Sequence, residues 1–230
     1  DDDEWFDNPQ EIIHFFQSGE YKNYNSATYR VRSYLNRQGN IYEQVHVTRM
    51  IKLETYTEFR GKIHEYLYPC MPPQKTLTDF VHHFGYAYRN QDEKTAHAER
   101  NIKPLLEMVK EQPDEIRWQI QLAQEYFGIG RMEDTIDIST RTLEIWEARK
   151  EKNIYEYLYI GCAYGFILLA LEVLEKYDKA YEWLEKALAE PNMTDSTRAF
   201  FYLMGIRIYG KGQKIEKCQT CTEKYLELYE

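Results

Sequence analysis

The chain begins "DDDEWFDNPQ", and the first and third of these residues are the earliest candidates for chemistry. Carboxylates one residue apart at the end of a strand can both turn towards one hard cation. Asp1 and Asp3 could therefore hold Mg2+ or Mn2+, and the cation could in turn hold a diphosphate. The competing reading is a solvated acidic run, the usual fate of clustered like charge. Cys218 and Cys221 form a C-x-x-C pair, but on a helical segment with no second pair or histidines nearby. They read as neighbours on one helix face, not as a zinc site. His82 and His83 are adjacent in an extended stretch, so only one of them can face a given site. His14, His46 and His97 occupy ordinary helix or strand positions and are assigned no role. The 21 tyrosines could stack on sugars, yet repeat helices pack with Tyr, and core is the better reading.

The composition limits what scaffold can position these groups. A chain of 230 residues, 43% of them hydrophobic, can bury the core of one large domain or two small ones. Lys and Arg number 29 against 38 Asp and Glu, a formal charge of -9, which lacks the electrostatic footprint of a nucleic-acid binder. Four cysteines without framework spacing point to a reducing compartment, by default the cytoplasm. The longest apolar run, "YIGCAYGFILLALEV" at 159 to 173, is too short to cross a bilayer comfortably and reads as a buried helix, so no transmembrane segment is expected.

Periodicity divides the chain near residue 90, and the expected class is α+β. Asn8 can cap a helix that Pro9 starts, "EIIHFFQSG" continues and Gly19 ends. In "ATYRVRSYL", Ala27, Tyr29, Val31, Ser33 and Leu35 share one face of a strand. In "QVHVTRMIKL", Val45, Val47, Arg49, Ile51 and Leu53 do the same, and "NRQGN" between them suits a hairpin turn. Extended stretches at 58 to 67 and 76 to 86 follow, separated by the proline-rich "YPCMPPQK". A linking helix is expected at about 93 to 111, within a connecting segment at 91–112. Helix-pair repeats are expected over 113–230. Trp118, Leu122, Ala123, Tyr126, Gly130 and Thr135 follow the tetratricopeptide order, and Tyr177, Ala180, Leu184, Ala187 and Pro191 match its second half better still. A weaker unit runs from Ser196 to Tyr229 with Gly205 and Gly212. Spacing beyond the ideal repeat predicts longer helices or inserted turns.

Several of these segments together resemble the family 2 glycosyltransferases of the GT-A fold. "DDDEWFDNPQEII" resembles their D-A-D-E-[FW] motif, with Asp2 in place of Ala. "RMI" at 49 to 51 resembles the R-[LM]-F strand, "FRGKIHEYL" the G-x-[IV]-H-E-x-[IL] strand, and "VHHFGYAYRNQDEKTAHAERNIKPLLEMVKEQPDE" the I-x-H-x-G-Y segment with its following helix. Bacterial members often carry tetratricopeptide repeats directly after the catalytic domain, and the resemblance spans nearly all of the chain. It implies that 1–90 is the C-terminal part of a partial GT-A half-domain, starting at the metal motif. The nucleotide-binding elements would precede it, and this chain alone would be inactive or nearly so.

The resemblance also implies roles. Asp1 and Asp3 would hold a metal-diphosphate, with Asp3 the likelier direct ligand and Asp1 contacting ribose or metal-bound water. Glu65 would be the general base, and His64 or His83 would complete the metal sphere or touch the diphosphate. Glu4, Trp5, Arg49 and Tyr86 would contact substrate. The implied reaction moves a sugar from a nucleotide-diphosphate donor to a saccharide, lipid or protein acceptor, with Mn2+ or Mg2+ and inversion. Glu65 paired simply with Arg60 or Arg49 is the bland alternative. Two rivals stay open. One is a non-enzymatic adaptor whose repeat groove binds a protein partner. The other, a metal hydrolase using Asp1, Asp3, His64 and His83, lacks a compact ligand motif.

Overall fold

A computed structural model describes residues 4–63 and 65–228. The chain forms two compact units, one up to His97 and one from Ala98 onward. The first contains β1 (Glu4–Phe6), α1 (Gln10–Gln17), a 3-10 turn at Glu20–Asn23, β2 (Ser26–Tyr34), β3 (Tyr42–Ile51), β4 (Glu58–Arg60), β5 (Tyr66–Tyr68) and β6 (Gln74–His83). Four of the strands make a mixed sheet in the order β1-β6-β2-β3, with β2 and β6 parallel and the other pairs antiparallel. The expected stretch at 58 to 67 is instead the separate two-stranded sheet β4-β5, because the chain turns at Gly61, whose φ is +101°.

Local signals explain most boundaries. Asn8 Oδ1 accepts from the Gln10 N–H at 3.3 Å, and Gly19 takes the left-handed backbone (φ +77°) that ends α1. The β2–β3 hairpin closes at Leu35 N–H to Ile41 C=O, 2.9 Å, around Gly39 at φ +72°. Two expectations about faces need correction. Leu35 is exposed, whereas Tyr34 on the opposite face is buried under the rings of Tyr42, His82 and Phe84. In β3 the register runs Thr28 to Thr48 and then Ala27 to Met50, so Arg49 is an extra residue at a bulge. Beyond it the alternation reverses. Met50, not Ile51, joins the core beside Ala27, Leu77 and Phe15.

A polar seam fastens α1 to β6. The Ile12 N–H donates to Asp79 Oδ2 at 2.9 Å, and Glu11 Oε2 accepts from the Thr78 hydroxyl at 2.6 Å and from the Thr78 and Asp79 N–H groups. Burial acts to raise the Glu11 carboxyl, but these hydrogen bonds, with Lys75 nearby, outweigh it and hold the group below its ordinary value. A depressed carboxyl contributes stability above its unfolded pKa and loses it as the pH falls through the folded value. Glu11→Gln is therefore expected to lower the unfolding free energy by about 1 kcal/mol at neutral pH. The deficit should vanish as acid protonates the parent. Urea melts at stepped pH check this, and a deficit that persists or grows in acid would contradict it.

Helix α2 (Gln91–Glu111) crosses from one unit into the other. The second unit continues with α3 (Ile116–Gly128), α4 (Met132–Ala148), α5 (Tyr157–Val173), α6 (Tyr177–Ala189), α7 (Asp195–Lys211) and α8 (Ile215–Glu227). Each of these packs on the next in sequence, and α5 also packs on both α3 and α7. The result is an array of helix hairpins, α3/α4, α5/α6 and α7/α8. The observed class is thus α+β, a mixed sheet followed by repeat-like helices. Helices α4, α5 and α7 run 17 residues each, and a 3-10 turn is inserted at Ile154–Glu156, which accounts for the stretched repeat spacing. The segment Ile154–Val173 is long and apolar enough to cross a membrane, but half of it is buried, and Ile160, Ile167 and Leu168 are wholly enclosed in the helical core. Small residues set the helix spacing: a Cβ on Gly205 would lie 2.5 Å from Cys221 Sγ. That contact places α7 directly against the C-x-x-C helix. Cys218 and Cys221 are free cysteines, and burial raises the Cys221 thiol.

Candidate functional site

The sheet brings together residues that lie far apart in sequence. Glu4 pairs with His83 across β1–β6, and Ser33 pairs with His83 across β2–β6, so all three share one face. Ser33 Oγ lies 3.1 Å from His83 Nδ1, a contact that orients the imidazole, and the Tyr86 ring meets His83 edge-on at 5.1 Å between centroids. Arg49, thrown out of register by the bulge, reaches from β3 to the opposite edge of the sheet. There its Nη2 lies 3.2 Å from Glu4 Oε1. The guanidinium is still 42% exposed, so the pair adds about 0.5 kcal/mol to stability. Its value is in placing a cation on this face. Tyr29 stands within the field of both partners. Burial pushes its phenol up, Arg49 pulls it down, and Glu4 adds to the rise. A carboxylate, a guanidinium, an imidazole and two phenols on one face can bind an anionic, hydroxyl-rich ligand.

The neighbouring residues turn the other way. Trp5 pairs with His82, so the expected grouping of Trp5 with Glu4, Arg49 and Tyr86 fails for a simple reason: strand side chains alternate. Trp5 is half exposed and stacks on His82 (5.2 Å) and Phe84 (5.6 Å). His82 lies between Asp7 Oδ1, 3.2 Å from its Nε2, and the buried Tyr34 hydroxyl, 2.7 Å from its Nδ1. Sequence reasoning recognised that only one of His82 and His83 could serve the site. It missed Tyr29, Ser33, Tyr34 and Asp7. Tyr29 and Ser33 could have been found from the shared face of β2. The Asp7–His82–Tyr34 chain carries no local signal, because its members are 48 and 75 residues apart.

Glu65 lies in the β4–β5 hairpin and is exposed. The bland partners do not take it: Arg60 holds Glu58 at 2.6 Å and Arg49 holds Glu4. Asp1, Asp3 and His64 lie outside the described residues. Among the described residues no group of three or more His, Cys, Asp or Glu side chains converges as metal ligands. Of the expected metal ligands, His83 is the one among the described residues, and Glu4, expected to contact substrate, pairs with it across the sheet.

No family model matches the chain, and no curated protein matches it. Among solved structures, MamA (MSR-1, C2) is similar with a TM-score of 0.42 and 17% sequence identity, over 59% of this chain and 69% of its own.

Proposed function

We propose that the chain is the acceptor-side part of a metal-dependent, inverting glycosyltransferase of the GT-A type, working in the cytoplasm with a tetratricopeptide-like helical tail. The motif order "DDDEW", "RMI", "GKIHEYL", "HHFGY" supports this reading. The observation that carries it is the convergence of Glu4, Arg49, His83 and Tyr86 on one face of the sheet whose first strand follows the acidic run. In this reading Asp3 would hold Mn2+ or Mg2+ directly, Asp1 would meet ribose or water, and His64 or His83 would complete the set or touch the diphosphate; the ion would supply charge neutralisation for the departing diphosphate. Arg49 and Tyr86 contact the donor phosphates and sugar, and Glu65 takes the proton of the attacking hydroxyl. The donor is a nucleotide sugar and the acceptor a saccharide, lipid or protein.

The test is Mn2+ binding by the natural polypeptide that carries this sequence, followed by electron paramagnetic resonance, with and without UDP or GDP. Nucleotide should tighten Mn2+ binding, Asp3→Ala should abolish the effect, and His83→Ala should weaken Mn2+ binding about tenfold. Binding unchanged in both variants would sink the assignment. A second reading, a non-enzymatic adaptor, is favoured by the helical array and by the open groove between α5 and α7. A tight partner in pulldown combined with no donor binding would select it.

A further inference from the structure

Helix α5 turns an apolar stripe outward: Leu158, Cys162, Phe166, Leu169 and Val173 recur at helical spacing, and Leu158 and Val173 are 67% and 58% exposed. Across from it, α7 presents Phe200, and a groove of about 300 Å³ opens between the two helices; Leu203, three residues on along α7 and outside that lining, is partly exposed. Glycines set the groove's floor. A Cβ on Gly161 would lie 2.9 Å from Thr197 Cγ2 and force a shift there, and one on Gly165 would lie 3.2 Å from the Phe200 ring and press against it.

Further along α7 than the groove's lining, at helical spacing from Phe200 and Leu203, Arg207 and Lys211 both reach the buried Glu172 of α5, at 2.8 and 2.9 Å. Two cations on one carboxylate leave a positive charge in excess, and their side chains are 57% and 54% exposed. Among the described residues neither makes a further ion pair. An apolar channel followed along the same helix by an under-neutralised cation pair has a definite complement: an apolar stretch that ends in a carboxylate. A second copy of this face would not supply it, because its carboxylate, Glu172, is already buried and doubly engaged.

We infer that the groove between α5 and α7 docks an apolar segment of a partner protein, with an Asp or Glu side chain of that segment meeting Arg207 and Lys211. This rests only on the partner-binding part of the adaptor reading, which holds whether or not the polypeptide also transfers sugar.

The probes are two short, capped, fluorescent peptides of leucine, phenylalanine and alanine, one ending in two glutamates and the other in two lysines. Fluorescence anisotropy with the whole chain should show the acidic peptide binding about tenfold more tightly, the effect of one charge-assisted contact. Arg207→Gln, which leaves Lys211 to partner Glu172, should erase that preference. Leu158→Asp and Leu203→Asp, both at exposed positions, should abolish binding of either peptide with circular dichroism and Tm unchanged. Equal affinity for the two peptides would overturn the inference and leave the adaptor reading standing. Binding of neither peptide, or binding indifferent to Leu158→Asp and Leu203→Asp, would overturn both. Self-association of the protein alone that Leu203→Asp abolishes would overturn the inference in favour of a second copy.

Discussion

Asp3→Ala and Glu65→Ala are each expected to slow sugar transfer about a thousandfold in the natural polypeptide that carries this sequence, assayed with a panel of nucleotide-sugar donors and Mn2+. The reasons differ. Asp3 would hold the ion that neutralises the leaving diphosphate, so its loss removes charge stabilisation, and added Mn2+ should rescue the variant only in part. Glu65 would accept the proton of the incoming hydroxyl, so its loss should lower kcat with little change in donor KM and remove the acidic limb of the pH profile. The exposed position of Glu65 in the β4–β5 hairpin makes its variant a clean probe, since little packing is disturbed. Unchanged turnover in both variants would reject these roles.

Trp146→Ala should cost about 4 kcal/mol of stability. The side chain is 1% exposed in the middle of the helical core, edge-on to Tyr157 at 5.0 Å, and Lys152 lies over its ring. Truncation empties a large site between α4 and α5 that neither helix can collapse into, because Leu143, Ile160 and Tyr164 are already packed around it. Trp146→Phe separates volume from polarity. Among the described residues the buried indole N–H has no hydrogen-bond partner, so losing it removes an unfavourable desolvation, and the Phe variant should lose only about 1 kcal/mol. Equilibrium denaturation checks both. An Ala variant within 1 kcal/mol of the parent would mean that the core relaxes far more than its packing allows.

Much of the fold was legible because helices and hairpins are written in short-range patterns. The Asn8–Pro9 start, the Gly19 stop, the Gly39 hairpin and the helical rhythm of Ala180, Leu184 and Ala187 each involve groups within a few residues of one another. The structure bears out the Gly19 stop, the Gly39 hairpin and the burial of Ala180, Leu184 and Ala187, while α1 begins at Gln10 with Pro9 as its N-cap, one residue later than expected. Element edges and faces were less legible where one residue changes the count. The bulge at Arg49 reversed the alternation of β3, and no local feature of "VTRMIK" announces it. The burial of Tyr34 in place of Leu35 depends on rings contributed by β3 and β6, which a strand pattern cannot see.

The sequence by itself determined the α+β order, the place where strands give way to helices, the hairpin nature of the second half, and the alternation that lets only one of His82 and His83 serve a given face. These follow from periodicity and from backbone preferences that act over one or two turns. Only the tertiary structure decided which residues meet. Arg49 reaches Glu4 across 45 positions, Ser33 meets His83 across 50, and Lys211 grips Glu172 across 39. Such meetings depend on strand order, register and helix packing. Those are set by how whole elements bury their apolar faces together, a collective choice that no short stretch of chain contains.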